Sequence, residues 1–222
     1  MSDSQYSSRD IARESALSTN KVLRNTYALL SVTLIFSAIM AMVSTMVNTG
    51  YGVSLACSFG ALALIWFVLP RTANSGAGIA VVFAFTGLLG FGLGPLLNHY
   101  LSLANGGELI ATAMGGTAII FLGLSGYALT TQRDFSFLGG FLFAGLIVVL
   151  LAAVAGIFLQ MPGLFLAINA AVILLFSGFI LFDTSRIING GETNYVLATT
   201  GIFLSIYNIF ISLLHLLGFA ND

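Results

Sequence analysis

Charge is what this chain has least of. Of its 222 residues, 7% are Asp, Glu, Lys or Arg, against roughly a quarter in a soluble domain. The seven basic and eight acidic residues are also unevenly placed. Asp3, Arg9, Asp10, Arg13, Glu14, Lys21 and Arg24 crowd the first 24 positions, and eight charges serve the rest of the chain. So few charges cannot clothe a folded domain in a hydrated surface, which excludes a secreted domain, a cytosolic enzyme and a disordered chain. The net charge is −1 with no basic block in the body, so nucleic acid is excluded as a partner. The single cysteine, Cys57, lies in an apolar run. It permits no internal disulfide and no cysteine metal site, and reads as a small buried apolar residue. Two histidines without a cluster of acids define no zinc or iron site, and no sequence feature calls for a cofactor.

What is abundant is apolar sequence, 58% of the chain. A membrane helix needs roughly 20 apolar residues, and seven segments qualify: 25–47, 51–69, 78–98, 108–130, 135–159, 164–188 and 196–219. The expected fold is an all-α integral membrane protein, a seven-transmembrane-helix bundle over 25–222, behind a polar cytoplasmic tail over 1–24. Ser18, Thr19 or Asn20 is the expected cap of a first helix starting near Lys21. Four basic residues precede the first span, and Arg71, Arg133 and Arg186 follow the second, fourth and sixth. Seven spans therefore put every basic residue on one side, which the positive-inside rule makes the cytoplasm, with the C-terminus in the periplasm. A six-span alternative, with a re-entrant last segment, places both ends inside.

Close packing is expected at the Gly90/Gly94 step and at the Gly140/Ala144 and Ala152/Gly156 pairs. These are helix-contact signals first and homodimer signals only weakly. Pro95 predicts a kink or an early helix end in the third span.

Ionisable and polar groups inside a membrane are costly, so each is a candidate site. Asp183 and Arg186 stand three residues apart near the cytoplasmic end of span six, on one helix face. Two readings are open: an interfacial ion pair, or a charge that closes or lines a water path. In span seven, Gly201, Ser205, Asn208, Ser212 and His215 recur at intervals of four and three, forming one polar stripe expected to face the interior. The stripe serves either interhelical hydrogen bonding or, with Asp183, a shared polar cavity. His99, Glu108 and His215 fall toward the outer side, either as hydrated helix-end residues or as a proton-responsive group.

An enzyme reading fails on depth. Gly123-Leu124-Ser125-Gly126 and His215-Leu216-Leu217-Gly218 match the G-x-S-G and H-x-x-G pair of rhomboid intramembrane proteases. The two segments nevertheless place Ser125 and His215 about 20 Å apart in depth, whereas a nucleophile and its base must meet within about 3 Å. No Walker loop, HExxH or nucleophile elbow is present, and no catalytic activity is expected.

Seven stretches in order carry a more specific likeness: Lys21-Val22-Leu23-Arg24-Asn25-Thr26-Tyr27, Phe83-Ala84-Phe85-Thr86-Gly87, Gly94-Pro95, Arg133-Asp134-Phe135-Ser136-Phe137-Leu138-Gly139-Gly140, Phe182-Asp183-Thr184, Gly190-Gly191-Glu192-Thr193-Asn194-Tyr195 and Tyr207-Asn208-Ile209-Phe210. Through these the chain resembles the Bax inhibitor family of seven-span membrane proteins, and within it the bacterial YccA-like group. The resemblance implies a helix bundle with a cytoplasmic N-terminus in the bacterial inner membrane. It also implies two functions. Members of the YccA-like group are modulators that bind and restrain FtsH, a membrane-anchored ATP-dependent protease. Other members are pH-sensitive calcium or proton leak pathways gated by one aspartate in span six and one in span seven. Asp183 matches the first aspartate, but Ser205 stands where the second would be. Two close carboxylates share a proton and make a pH switch, and one does not; calcium also wants six to eight oxygens. The expected function is therefore the FtsH modulator, with the leak as the alternative.

Overall fold

The computed structural model describes residues 3–220, with side chains from residue 19 onward. Every regular element is a helix: α1 (Asp3–Met46), α2 (Tyr51–Ala63), α3 (Leu69–Thr72), α4 (Gly76–Gly92), α5 (Gly94–Leu101), α6 (Gly106–Thr131), α7 (Gly139–Leu159), α8 (Pro162–Ile188) and α9 (Tyr195–Phe219). They make seven membrane-length crossings: Thr19–Met46, Tyr51–Thr72, Gly76–Leu101, Gly106–Thr131, Ser136–Leu159, Pro162–Ile188 and Tyr195–Phe219. The expected spans are therefore present, and each end falls within three residues of its expected place except the start of the first. There the helix runs on through Ser18, Thr19 and Asn20 rather than being capped by them. The Ser and Asn residues of the tail do not stop it, because no Gly or Pro precedes Thr49 to break it.

Proline shapes two crossings differently. In the second, Pro70 offers no N–H to the carbonyl four residues back. The turn before it, Leu64–Val68, widens into a π turn in which Leu69 N–H reaches Leu64 O, a feature the apolar pattern does not foretell. In the third, the kink expected at Pro95 is a break at Leu93, whose N–H bonds to Gly90 O at 3.0 Å. The chain resumes as α5 and carries the crossing on to Leu101. Gln132 and Gln160 take left-handed conformations (φ 50° and 48°) that end α6 and α7.

Packing follows membrane rules, in which small residues and hydroxyls, not apolar burial, bring helices together. A Cβ at Gly90 or Gly94 would run into Ser37 or Ser44 of α1, and one at Gly87 would lie 2.7 Å from the Phe36 ring. The Gly90/Gly94 step thus seats α4 and α5 on α1 and is used inside the chain. Gly140, in contrast, faces open space, and α7 meets α8 through Gly145 against Leu175 and Gly178 against Leu142. α9 runs through the middle, against α1, α4, α6 and α8, and contributes Ala198, Ile202, Phe203 and Ile206 to a cluster with Leu30, Phe85, Leu89 and Ile187. α7 is peripheral, with Leu142 its one buried residue. Phe141, Phe143, Phe158, Trp66 and Ile119 point outward, as lipid-facing side chains do.

Candidate functional site: the seam between α8 and α9

The loops after the second, fourth and sixth crossings gather Arg71, Arg133, Asp134, Arg186 and Glu192 at one end of the bundle. This end is tied together by polar side chains that hydropathy does not reveal. Asn194 caps α9, its Oδ1 accepting from Val196 N (2.9 Å) and Leu197 N (3.2 Å). Its Nδ2 donates to Ala73 O (2.9 Å) and Asn74 Oδ1 (2.8 Å) in the loop before α4. A surface hollow of about 390 Å³ lies between these two loops, lined by Ala73, Asn74, Ser75, Thr193 and Tyr195. Ser185 of α8 accepts from Phe135 N (2.8 Å) and donates to Arg133 O (3.1 Å). Asn189 Nδ2 donates to Ser185 O at 3.0 Å. Asp134 accepts from the backbone N–H and hydroxyl of Ser136, which hold its carboxyl below the ordinary carboxylate range. Ser185, Asn189 and Asn194 were outside the site expected from the sequence; their signal lay only in the family-like stretches around Arg133 and Gly190.

Asp183 projects from α8 onto the α9 backbone, where a Cβ at Gly201 would lie 2.8 Å from its Oδ2. Arg186 does not pair with it. Its Nη2 lies 3.5 Å from Glu192 Oε2, the one ion pair among the described residues, and donates to Gly191 O at 3.1 Å. The guanidinium also sits 5.4 Å from the Phe182 ring centroid. The interfacial ion pair is thus Arg186 with Glu192, because the chain turns back after Gly190 (φ 75°) and brings Glu192 up to the helix end. Near Asp183 in the fold, Thr184 is 3.5 Å from Tyr27 OH, and Thr199 donates to Thr26 O at 3.2 Å. Thr26 Oγ1 and Ser125 Oγ are buried without a hydrogen-bond partner among the described residues.

The polar stripe of α9 is not the one buried face of that helix. Ser205 and Ser212 are buried, but so are Phe203 and Leu214 on other sides, because α9 is surrounded. Two members of the stripe bond within their own helix: Ser205 Oγ donates to Gly201 O (3.1 Å) and Asn208 Nδ2 to Leu204 O (2.8 Å). His215 alone reaches another helix, with Nδ1 3.2 Å from Asn169 Oδ1 of α8. His215 lies at the opposite end from Asp183, about 21 Å along α9 from Gly201, the level of Asp183, at 1.5 Å per residue. The six candidate residues therefore form two groups, Asp183 with Arg186 and Ser205 toward the charged end and Ser212 with His215 toward the other, with Asn208 between them. Ser125 and His215 likewise lie toward opposite ends of their crossings. Cys57 is buried beside Phe36, Phe83 and Phe91. Among the described residues no group of three or more His, Cys, Asp or Glu is placed to hold a metal ion.

These features define a helical integral membrane protein whose polar groups serve the packing of its helices and the joining of its loops. The family described as "Inhibitor of apoptosis-promoting Bax1" matches residues 19–222, and the chain belongs to this Bax inhibitor family. It is 56% identical over 94% of both chains to a protein of Escherichia coli K12 named modulator of FtsH protease YccA. The same identity and coverage relate it to the inner membrane protein YccA of E. coli O6:H1. An uncharacterised membrane protein of Vibrio cholerae is 49% identical over 96% of both chains.

Proposed function

We propose that this protein is a non-catalytic regulator of a membrane protease of the FtsH type, which it binds and restrains in the bacterial inner membrane. The observation that carries this reading is the 56% identity, over 94% of each chain, to a protein named for modulating FtsH. Seven crossings leave every basic residue at the N-terminal side of the membrane. The positive-inside rule then supports a cytoplasmic N-terminus, with the tail over 1–24, and a periplasmic C-terminus. On that orientation, the loops joined by Asn194 and Ser185 form a fixed cytoplasmic surface beside the tail, and the two together are the contact for the protease. The leak alternative lacks its second carboxylate. Ser205 stands there, with its hydroxyl turned to Gly201 O. A homodimer is not needed to explain the Gly90/Gly94 step, which α1 occupies.

The test is affinity capture of the tagged protein from its own membrane in mild detergent, followed by mass spectrometry. FtsH enriched over a control membrane protein of equal hydropathy is the expected result, and removal of residues 1–17 should weaken the enrichment. A clean preparation without the protease overturns the proposal.

A further inference from the structure

At the end of the bundle away from the charged loops, α5, α8 and α9 meet around two imidazoles. Asn169 of α8 is buried, and its Nδ2 donates to Phe165 O at 2.9 Å. That bond turns the amide so that Oδ1 faces His215 Nδ1 at 3.2 Å. An amide oxygen only accepts, so Nδ1 carries the proton and Nε2 is the position that takes up another. The His215 ring lies 5.2 Å from the Phe165 centroid and 6.5 Å from that of Tyr100. On α5, Tyr100 is itself 5.4 Å from His99, so the two imidazole centroids lie no more than about 12 Å apart. Tyr100 is also where α5 meets α9: a Cβ at Gly218 would lie 2.8 Å from its hydroxyl, and it packs with Leu109, Ala113 and Leu214.

We infer that His99 and His215 form a proton-operated latch on the outer end of the bundle. It rests on the orientation proposed above, which places this end in the periplasm, and is independent of which protease the protein regulates. With both rings neutral, Tyr100 and the His215–Asn169 bond hold α5, α8 and α9 together. When acid charges both rings, two like charges stand beside Tyr100 within about 12 Å of each other, and the α5–α9 seam loosens. Other elements do little to neutralise them. Among the described residues α8 presents neutral Asn169 here, α1 beyond Tyr27 and the whole of α4 have no titratable group, α2 begins with the exposed, neutral phenol of Tyr51, and α6 offers Glu108, exposed in its first turn.

Hydrogen–deuterium exchange of the full chain in lipid nanodiscs at pH 7.5 and 5.5, corrected for intrinsic rates, tests the latch. Acid should speed exchange in α5 and the last two turns of α9 by at least about tenfold, the effect of two unit charges at about 12 Å, the greatest separation the ring contacts allow, at an effective dielectric near 20. His215→Gln should abolish the acid response, His99→Gln should reduce it, and Glu108→Gln should enlarge it. His99→Gln decides the question if His215→Gln does not fold. An unchanged wild-type exchange rate, or the same acid response in the folded glutamine variants, overturns the inference.

Discussion

Gly201 and Asp183 show what single residues do at the seam. A methyl group at 201 would meet the Asp183 carboxylate at 2.8 Å, so Gly201→Ala should destabilise the bundle by about 1–3 kcal/mol, the usual cost of overpacking. Thermal unfolding in detergent measures this. Adding Asp183→Ala should return most of the loss, whereas additive effects of the two changes would show that the contact is not the cause. Asn194→Ala removes a helix cap and two bonds to the neighbouring loop. It should cost at least about 1 kcal/mol by the same measurement, and an unchanged midpoint would contradict its joining role. Asp183 was legible as a candidate because a charge in an apolar helix is conspicuous. The partner of Arg186 was not legible, since Asp183 at the helical spacing is nearer in sequence than Glu192, and only the turn at Gly190 decides between them. Asn194 and Ser185 were invisible to hydropathy because they act through backbone groups of distant loops.

Elements were legible to the extent that hydropathy and proline dictate them. Six of the seven crossings were delimited within a few residues, and Pro95 foretold the break at Leu93. The π turn before Pro70 was not foretold, because the same residue type can end a helix, kink it or widen its preceding turn. Glycine steps were legible as contacts but not as to which helix they touch. Gly90→Val and Gly94→Val should lower the unfolding temperature by several degrees, since each drives atoms into α1. Gly140→Ala, facing open space, should leave it unchanged or raise it slightly. Equal effects at all three positions would contradict the assignment of α1 as the partner of the Gly90/Gly94 step.

Across the whole molecule, the number of crossings follows from composition, but the central place of α9 does not. Its hydropathy is close to that of its neighbours, and its polar stripe suggested one buried face where the bundle buries residues on several sides. The basic residues on which the proposed orientation rests were legible directly. A C-terminal alkaline phosphatase fusion should be active, reporting a periplasmic end, and an inactive fusion would contradict the proposed topology. Regulation of a protease is a property of the assembled membrane surface, and it is best measured with purified components. FtsH should be reconstituted in liposomes with this protein or with an unrelated seven-helix protein, and the degradation rate of one membrane substrate followed over time. The account predicts slower degradation only with this protein, relieved in part when residues 1–17 are removed; the same rate with either protein would contradict it.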